Sequence, residues 1–320
     1  MNSQQLAAVS EPRSVNRAWP LVYIVLVSWN TQERTLACLS NLSGTSYPNY
    51  RMVVVDNASS DGSPDAIAML HPNVPMLRLT RNRGFTGANN KGFSYAIEHG
   101  AEFVYLLNTD TRVPDDFLYQ AVMTAQRDPT IGIVGSKVLH AHRPDTIQFA
   151  GAHLNITIAY SGRALGYDEL DRGQYDCVTD VDWVTGCAMM LSHACIVETN
   201  GFDDAFFAFY EDVDICVRAR SAGIRVVMSP GSRVWHEGGG SLGGAASGMH
   251  LYYDVRNALR LTYKHRPASN MVTETLRTAC IVGAHMMQVF LQGPRISLIR
   301  AIFDGMRDYY RGVNGARRTH

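Results

Sequence analysis

From residue 21 to about residue 125, short apolar runs alternate with segments whose apolar positions recur every three or four residues. This is the pattern of strands alternating with amphipathic helices. Leu21 to Trp29, rich in Val, Ile and Leu, reads as a strand buried on both faces, and helical periodicity follows from Gln32 to Leu42. Arg51 to Asp56 reads as a second strand, stopped by the turn-forming Asn57-Ala58-Ser59-Ser60-Asp61-Gly62-Ser63, with Pro64 suited to the first turn of the next helix. Met76 to Leu79 is a short third strand and Gly87 to His99 a helix. Phe103 to Leu107 is a fourth strand running into Asn108-Thr109-Asp110, and a further helix starts at Pro114. The expected fold class is therefore α/β, Rossmann-like, with a mostly parallel central sheet flanked by helices and right-handed crossovers. Ligands in such sheets bind beyond the carboxyl ends of the strands.

The second half is less regular. Ile147 to Tyr160 reads as short strands, Asp182 to Leu191 as a strand, Glu211 to Ala222 as a helix and Ile224 to Met228 as a strand. A Gly, Ser and Ala linker from Gly238 to Gly248 precedes a helical C-terminal region. The expected organisation is a flexible extension over 1–19, an α/β body over 20–248 and a basic helical region over 249–320.

Charge adds a regional contrast. The 29 Lys and Arg balance 29 Asp and Glu overall, but from Arg256 onward 11 basic residues face 3 acidic ones, an excess of eight that the first 255 residues mirror. Over Arg295 to Arg311 a helical projection gathers Ile299, Ile302, Phe303, Met306 and Tyr310 opposite Arg300, Asp304, Arg307 and Arg311. Such a helix either docks on the protein's own core or lies in the headgroup region of an anionic membrane. The polar first 20 residues do not resemble a secretion signal, and the apolar run Ala279 to Leu291, interrupted by His285 and Gln288, is shorter than the ~18–20 residues of a membrane span. Six scattered cysteines without a C-x-x-C pair read as reduced, packed side chains. With 46% hydrophobic and only 18% charged residues, disorder is excluded for the bulk of the chain.

Candidate chemistry gathers at the expected strand ends. Asp56 can accept a hydrogen bond from the imide N–H of a base, or merely stabilise its turn. The glycine-rich stretch Asn82 to Gly92 offers close backbone approach and a helix N-terminus that favours phosphate, but has neither P-loop nor dinucleotide-binding spacing. Asp110, aimed outward at the end of an apolar strand, suits a divalent cation bridging a diphosphate. Glu211 and Asp212 open a helix just after Phe206-Phe207-Ala208-Phe209-Tyr210. Acids there are commonly dipole partners, yet the aromatics would desolvate a carboxylate and raise its pKa towards general-base duty, with Asp212 the candidate. His236 is a metal ligand, a phosphate contact or a structural histidine, and Trp183, beside Gly186, is a sugar-stacking face or core.

Taken in order, Val27-Ser28-Trp29-Asn30, Val55 to Ser63, Asn82 to Gly92, Asn108-Thr109-Asp110, Trp183-Val184-Thr185-Gly186, Glu211 to Asp214 and Val234-Trp235-His236 resemble family 2 glycosyltransferases, most closely the rhamnosyltransferase-like branch. Tyr252 to Asn257 is similar to a further motif of that branch. The resemblance spans about Pro20 to Lys264 and implies a GT-A fold, with a nucleotide-binding half over about 20–135 and an acceptor half over about 136–248. It also implies inverting transfer of a sugar, L-rhamnose in that branch, from a nucleotide diphosphate donor. Ser28, Asn30, Asp56, Asn82, Gly84 and Phe85 are the implied donor contacts, joined by Asn89, Asn108, Thr109, Asp110 and Arg256. Trp183, Gly186 and Glu211 fall to the sugar or acceptor, Asp212 to the general base, and Asp110 with His236 to Mg²⁺ or Mn²⁺.

Two departures stand out: Asn108 replaces the first acid of the D-x-D metal motif, and Ser192-His193 stands where arginines often follow. The hydrogen-bond chemistry of Asp56 favours a UDP- or dTDP-sugar over a cytosine nucleotide. The implied acceptor is a lipid-linked or cell-surface glycan, and the implied location is the cytoplasmic face of the membrane. The C-terminal helices are candidates for membrane contact or homo-oligomer formation, and no nucleic-acid partner is implied. A sugar nucleotidyltransferase would carry a basic glycine-rich loop after the first strand, where none stands, and an intact Asp212 argues against a non-catalytic nucleotide-sugar sensor.

Overall fold

The computed structural model describes residues 19–155, 161–238, 247–266, 270–291, 293 and 295–317. Nearly all of the expected N-terminal extension, most of the Gly238–Gly248 linker and the end of the Ile147–Tyr160 segment lie outside the described residues. The first half runs β1 (Val22–Ser28), α1 (Gln32–Leu42), β2 (Tyr50–Asp56), α2 (Ser63–Leu70), β3 (Met76–Arg78), α3 (Gly84–Glu98), β4 (Phe103–Leu107), β5 (Thr111–Arg112) and α4 (Phe117–Ala125). Next come β6 (Ile131–His140), β7 (Arg143–Phe149), β8 (Ala152–Asn155), β9 (Ser161–Ala164), β10 (Thr179–Asp180), β11 (Ala188–Ser192), α5 (His193–Thr199), α6 (Glu211–Ser221) and β12 (Arg225–His236). Three helices close the chain: α7 (Gly248–His265), α8 (Met271–Leu291) and α9 (Ile296–Tyr310).

The main sheet has the order β10-β12-β6-β11-β4-β1-β2-β3, with β5 on β12 and β7 on β6, while β8 and β9 form a separate ribbon. The pairs among β3, β2, β1 and β4 are parallel, as is β6 with β12, and β11 runs antiparallel between β4 and β6. Helices cover the apolar strands, so Val22 to Leu26 are buried side by side with Val53 to Val55 and Val104 to Leu107. α3 lies close on this sheet because Gly92 faces Val25, where an added Cβ would sit 2.3 Å from a Val25 methyl carbon.

The structure corrects the expected elements at several points. β6, buried along its whole length, carries no strand signal because Gly132, Gly135, Ser136, Lys137 and His140 break its apolar run. Lys137 is fully buried there, its charge answered by Asp171 and Asp176. The expected strand Asp182–Leu191 shortens to β11, and β12 continues to His236, eight residues beyond the expected end at Met228. It passes Pro230-Gly231 through a register shift between Ser229 and Arg233. The next helix starts at Phe117 rather than Pro114, and α3 at Gly84 rather than Gly87.

α9 docks on α7 by part of the expected apolar face, with Ile302 buried and Ile299 and Met306 packed against the same cluster. Its buried side is Leu298, Ala301, Ile302, Asp304, Gly305 and Asp308, leaving Phe303 and Tyr310 about half exposed. Gly305 decides the rotation, since a Cβ there would lie 2.5 Å from the Tyr252 carbonyl oxygen. The aspartates are tolerated because Asp304 pairs with Arg307 and Arg317, and Asp308 accepts from Tyr252 Oη and pairs with Arg307.

Candidate active site

A cleft of about 760 Å³ opens at the carboxyl ends of β1, β2 and β4 and is closed by the start of α6, the end of β12 and the first turns of α7. At the carboxyl ends of β1 and β2, the strand register places Ser28 opposite Asp56. Asp56 is buried and accepts from the Ser59 amide at 3.3 and 3.4 Å. Ser28 is spent on Thr35 (3.0 Å). Asn30 adopts φ 52°, accepts from the Ser60 amide at 2.8 Å and so fixes the turn after Asp56. Asn57, which the sequence assigned no role of its own, joins the two loops. Its oxygen accepts from the Arg83 amide (2.8 Å), and its nitrogen donates to Asn82 (3.0 Å) and to the Gly84 carbonyl (3.1 Å).

Asn82, Gly84 and Phe85 line the cleft, whereas Asn89 turns inward and donates to the Phe85 carbonyl at 2.9 Å. Only glycine fits position 84, where φ is +71° and a Cβ would lie 2.3 Å from the Phe207 carbonyl oxygen.

Asn108, Thr109, Asp110, Cys187 and His236 meet at the cleft floor. β5 pairs with the end of β12, and this brings His236 Nε2 to 3.2 Å from Asp110 Oδ1 while Nδ1 lies 2.8 Å from Gln148 Oε1. Burial works against the Asp110 charge, yet its hydrogen bond with His236 and the histidine's charge hold it below the ordinary carboxylate range. For His236 burial disfavours the proton, and its contacts with Cys187 and Asp110 outweigh that and raise its pKa. Among the described residues no three His, Cys, Asp or Glu side chains converge as a cation cage. Asp110 and His236 are the residues here that would hold a Mg²⁺ or Mn²⁺, which would have to displace the proton of their mutual hydrogen bond. Arg34, which pairs with Glu237 at 3.2 Å, adds a cation to this rim.

On the opposite wall α6 begins with two unlike carboxyl groups. Asp212 Oδ2 accepts from the Gly186 amide at 3.0 Å and Oδ1 from the Val213 amide at 2.8 Å. Burial nevertheless raises its pKa. Glu211 is buried, its Oε2 has no hydrogen-bond partner among the described residues, and burial together with the adjacent Asp212 raises its pKa well above the ordinary value. Trp183 Nε1 is likewise buried without a partner among the described residues, and its ring packs on Phe149 at 4.9 Å. All three side chains line the cleft with Gly186, as do His250 and Asp254 of α7, which the sequence analysis did not single out.

Arg256 is placed elsewhere: it is fully buried and does not line the cleft. It donates to the carbonyls of Phe206 (2.8 Å) and Gly315 (2.7 Å), and Asn257 donates to those of Phe206, Ala208 and Phe209. Together they brace a loop whose Phe207, Phe209 and Tyr210 adopt φ of 69°, 70° and 69°. Ser28, Asn89 and Arg256 thus shape the site from behind, while Asp110, Asp212 and His236 face one cleft and the buried Asp56 lies behind Asn57, which lines it.

Residues 20–250 match the family model described as glycosyltransferase like family 2. The chain is 38% identical to the rhamnosyltransferase WbbL of Escherichia coli K12 over 226 residues, covering 68% of this chain and 83% of that protein. It is 23% identical to the N-acetylglucosaminyl-diphospho-decaprenol L-rhamnosyltransferase of Mycobacterium tuberculosis over 69% of this chain and 77% of that one. A Haloferax volcanii hexosyltransferase of low-salt glycan biosynthesis, Agl10, is 24% identical over 63% of this chain, which spans only 62% of that relative's length. Among solved structures, the Pyrobaculum calidifontis mannosyltransferase PcManGT, in complex with GDP-Man and Mn²⁺, superposes over 90% of this chain and 86% of its own with TM-score 0.56 at 15% identity, a likeness of fold. That fold is of the GT-A type, and with the family match over most of its length the chain belongs to glycosyltransferase family 2, in which its relatives include rhamnosyltransferases.

Proposed function

We propose that this glycosyltransferase inverts the anomeric centre of a UDP- or dTDP-sugar, L-rhamnose the foremost candidate, as it transfers the sugar to a hydroxyl of a lipid-linked glycan. The reading rests above all on one observation: the Asp212 carboxylate and the Asp110–His236 pair face the same cleft from different elements. Rhamnosyltransferase relatives, one of them named for a diphospho-decaprenol acceptor, support the sugar and acceptor class.

In this mechanism Asp56 accepts from the imide N–H of uracil or thymine, and the backbone around Asn82 and Gly84 approaches the donor closely. Asp110 and His236 would hold a divalent cation, which when bound would supply positive charge beside the leaving diphosphate. Asp212 takes the proton of the acceptor hydroxyl as its oxygen attacks the anomeric carbon, and the bond from that carbon to the diphosphate oxygen breaks on the opposite face. One displacement inverts the configuration. The buried, unpartnered Glu211 Oε2 and Trp183 Nε1 provide an acceptor and a donor for sugar hydroxyls, which would repay their missing hydrogen bonds.

Thermal shift with a panel of nucleotide sugars, with and without Mn²⁺, tests the donor. dTDP-L-rhamnose or a UDP-sugar is expected to raise the melting temperature with Mn²⁺ and lose most of that effect in EDTA. A shift confined to other nucleotide sugars, or one indifferent to EDTA, overturns the donor or the metal assignment respectively.

A further inference from the structure

No helix among the described residues is long and apolar enough to cross a membrane, yet the corner between α8 and α9 exposes large apolar side chains. Phe290, Leu291 and Ile296 are 54%, 81% and 87% exposed. Leu276 and Met287 extend the strip along α8, and the small Ala279, Cys280, Gly283 and Ala284 between them are exposed too, a spacing of three to four residues that keeps them on one face. No Asp, Glu, Lys or Arg interrupts the chain between Arg277 and Arg295. Contiguous apolar surface of this kind marks a site of interaction.

The bordering charge identifies the partner. Arg295, Arg300 and Arg311 are exposed, whereas both acids of α9, Asp304 and Asp308, are buried and ion-paired. We propose that the α8–α9 corner is a membrane-docking surface. Phe290, Leu291 and Ile296 enter the acyl boundary of an anionic bilayer, and Arg295 and Arg300 meet the lipid phosphates. A second copy of the chain suits the corner less well, because packing it on itself brings the same arginines together with no exposed acid on α9 to answer them. α8 also reaches the cleft wall: His285 Nε2 lies 3.0 Å from Asp254 of α7, which lines the cleft. A bilayer seated on α8 is thus one helix away from the catalytic space. The inference rests on the reading of a lipid-linked acceptor for its purpose, but vesicle binding is read without sugar transfer, so either can fail alone.

The test is co-sedimentation of the full chain with phosphatidylcholine vesicles, with and without phosphatidylglycerol, at low salt. The wild type is expected to bind only the anionic vesicles. Phe290→Ser/Leu291→Ser/Ile296→Ser and Arg295→Glu/Arg300→Glu are each expected to weaken binding by about tenfold or more. Both sets change exposed side chains, and an unchanged melting temperature confirms that they fold. Absence of binding to anionic vesicles, or binding undiminished in both variants, overturns the proposal. So does a wild-type dimer in solution that the triple serine variant converts to monomer, since the face is then a self-interface.

Discussion

Glu211 and Asp212 are neighbours in the chain at the same end of α6, yet their surroundings give them different chemistry. Asp212 receives two amide N–H donors that favour its charge, while among the described residues the buried Oε2 of Glu211 receives none, and burial with the neighbouring Asp212 pushes the Glu211 pKa well up. Asp212→Asn is expected to lower kcat by about 10²–10⁴-fold while leaving the donor-induced thermal shift intact. Wild-type turnover in that variant would remove Asp212 from the base role. Because burial raises the Asp212 pKa and a base must be ionised to act, kcat/KM is expected to fall with decreasing pH, starting above the ordinary carboxylate value of about 3.9. A profile flat down to about pH 4 would contradict this. The identity of these residues was legible from the acids following an aromatic run. Their division of labour was not, since it depends on the Gly186 amide, 26 residues away in the chain.

Periodicity found the elements whose burial follows a simple rule and missed those that break it. The apolar runs of β1, β2 and β4 are buried on both faces and could be read directly. β6 could not, because its buried Lys137 is satisfied by aspartates 34 and 39 residues further on. β12 could not because a proline and a glycine signal a stop where the strand in fact shifts register. α9 shows the same limit: the projection identified an amphipathic helix, but close approach to α7 selected the face carrying Gly305. Gly305→Ala is therefore expected to cost about 1–3 kcal/mol in chemical denaturation, since its methyl cannot fit beside the Tyr252 carbonyl. Unchanged stability would show that α9 does not pack on α7 as described.

For the whole molecule, Asp214 ties the catalytic body to the C-terminal helices. Fully buried, it pairs with Arg218 of α6 at 2.8 Å and with Lys264 and His265 of α7 at 2.8 and 2.7 Å. Burial opposes its charge, but His265, Arg218 and Lys264 outweigh that and lower its pKa, so its contribution to stability is complete above the unfolded value of about 3.9 and is lost as pH falls through the lower folded value. Asp214→Asn is expected to cost about 3 kcal/mol at neutral pH and to flatten the acid limb of a denaturation profile. An acid limb identical to wild type would refute that link.

Sequence by itself determined the alternating architecture, the strand-end positions of Asp56 and Asp110 and the acids opening α6, because local periodicity and turn chemistry fix these without distant partners. Only the tertiary structure decided that Arg256 braces a strained loop instead of lining the cleft, that Asn57 joins the loops after β2 and before α3, and that His236 meets Asp110. Each of these depends on contacts between segments far apart in the chain, and such contacts form only when the sheet and the C-terminal helices have packed.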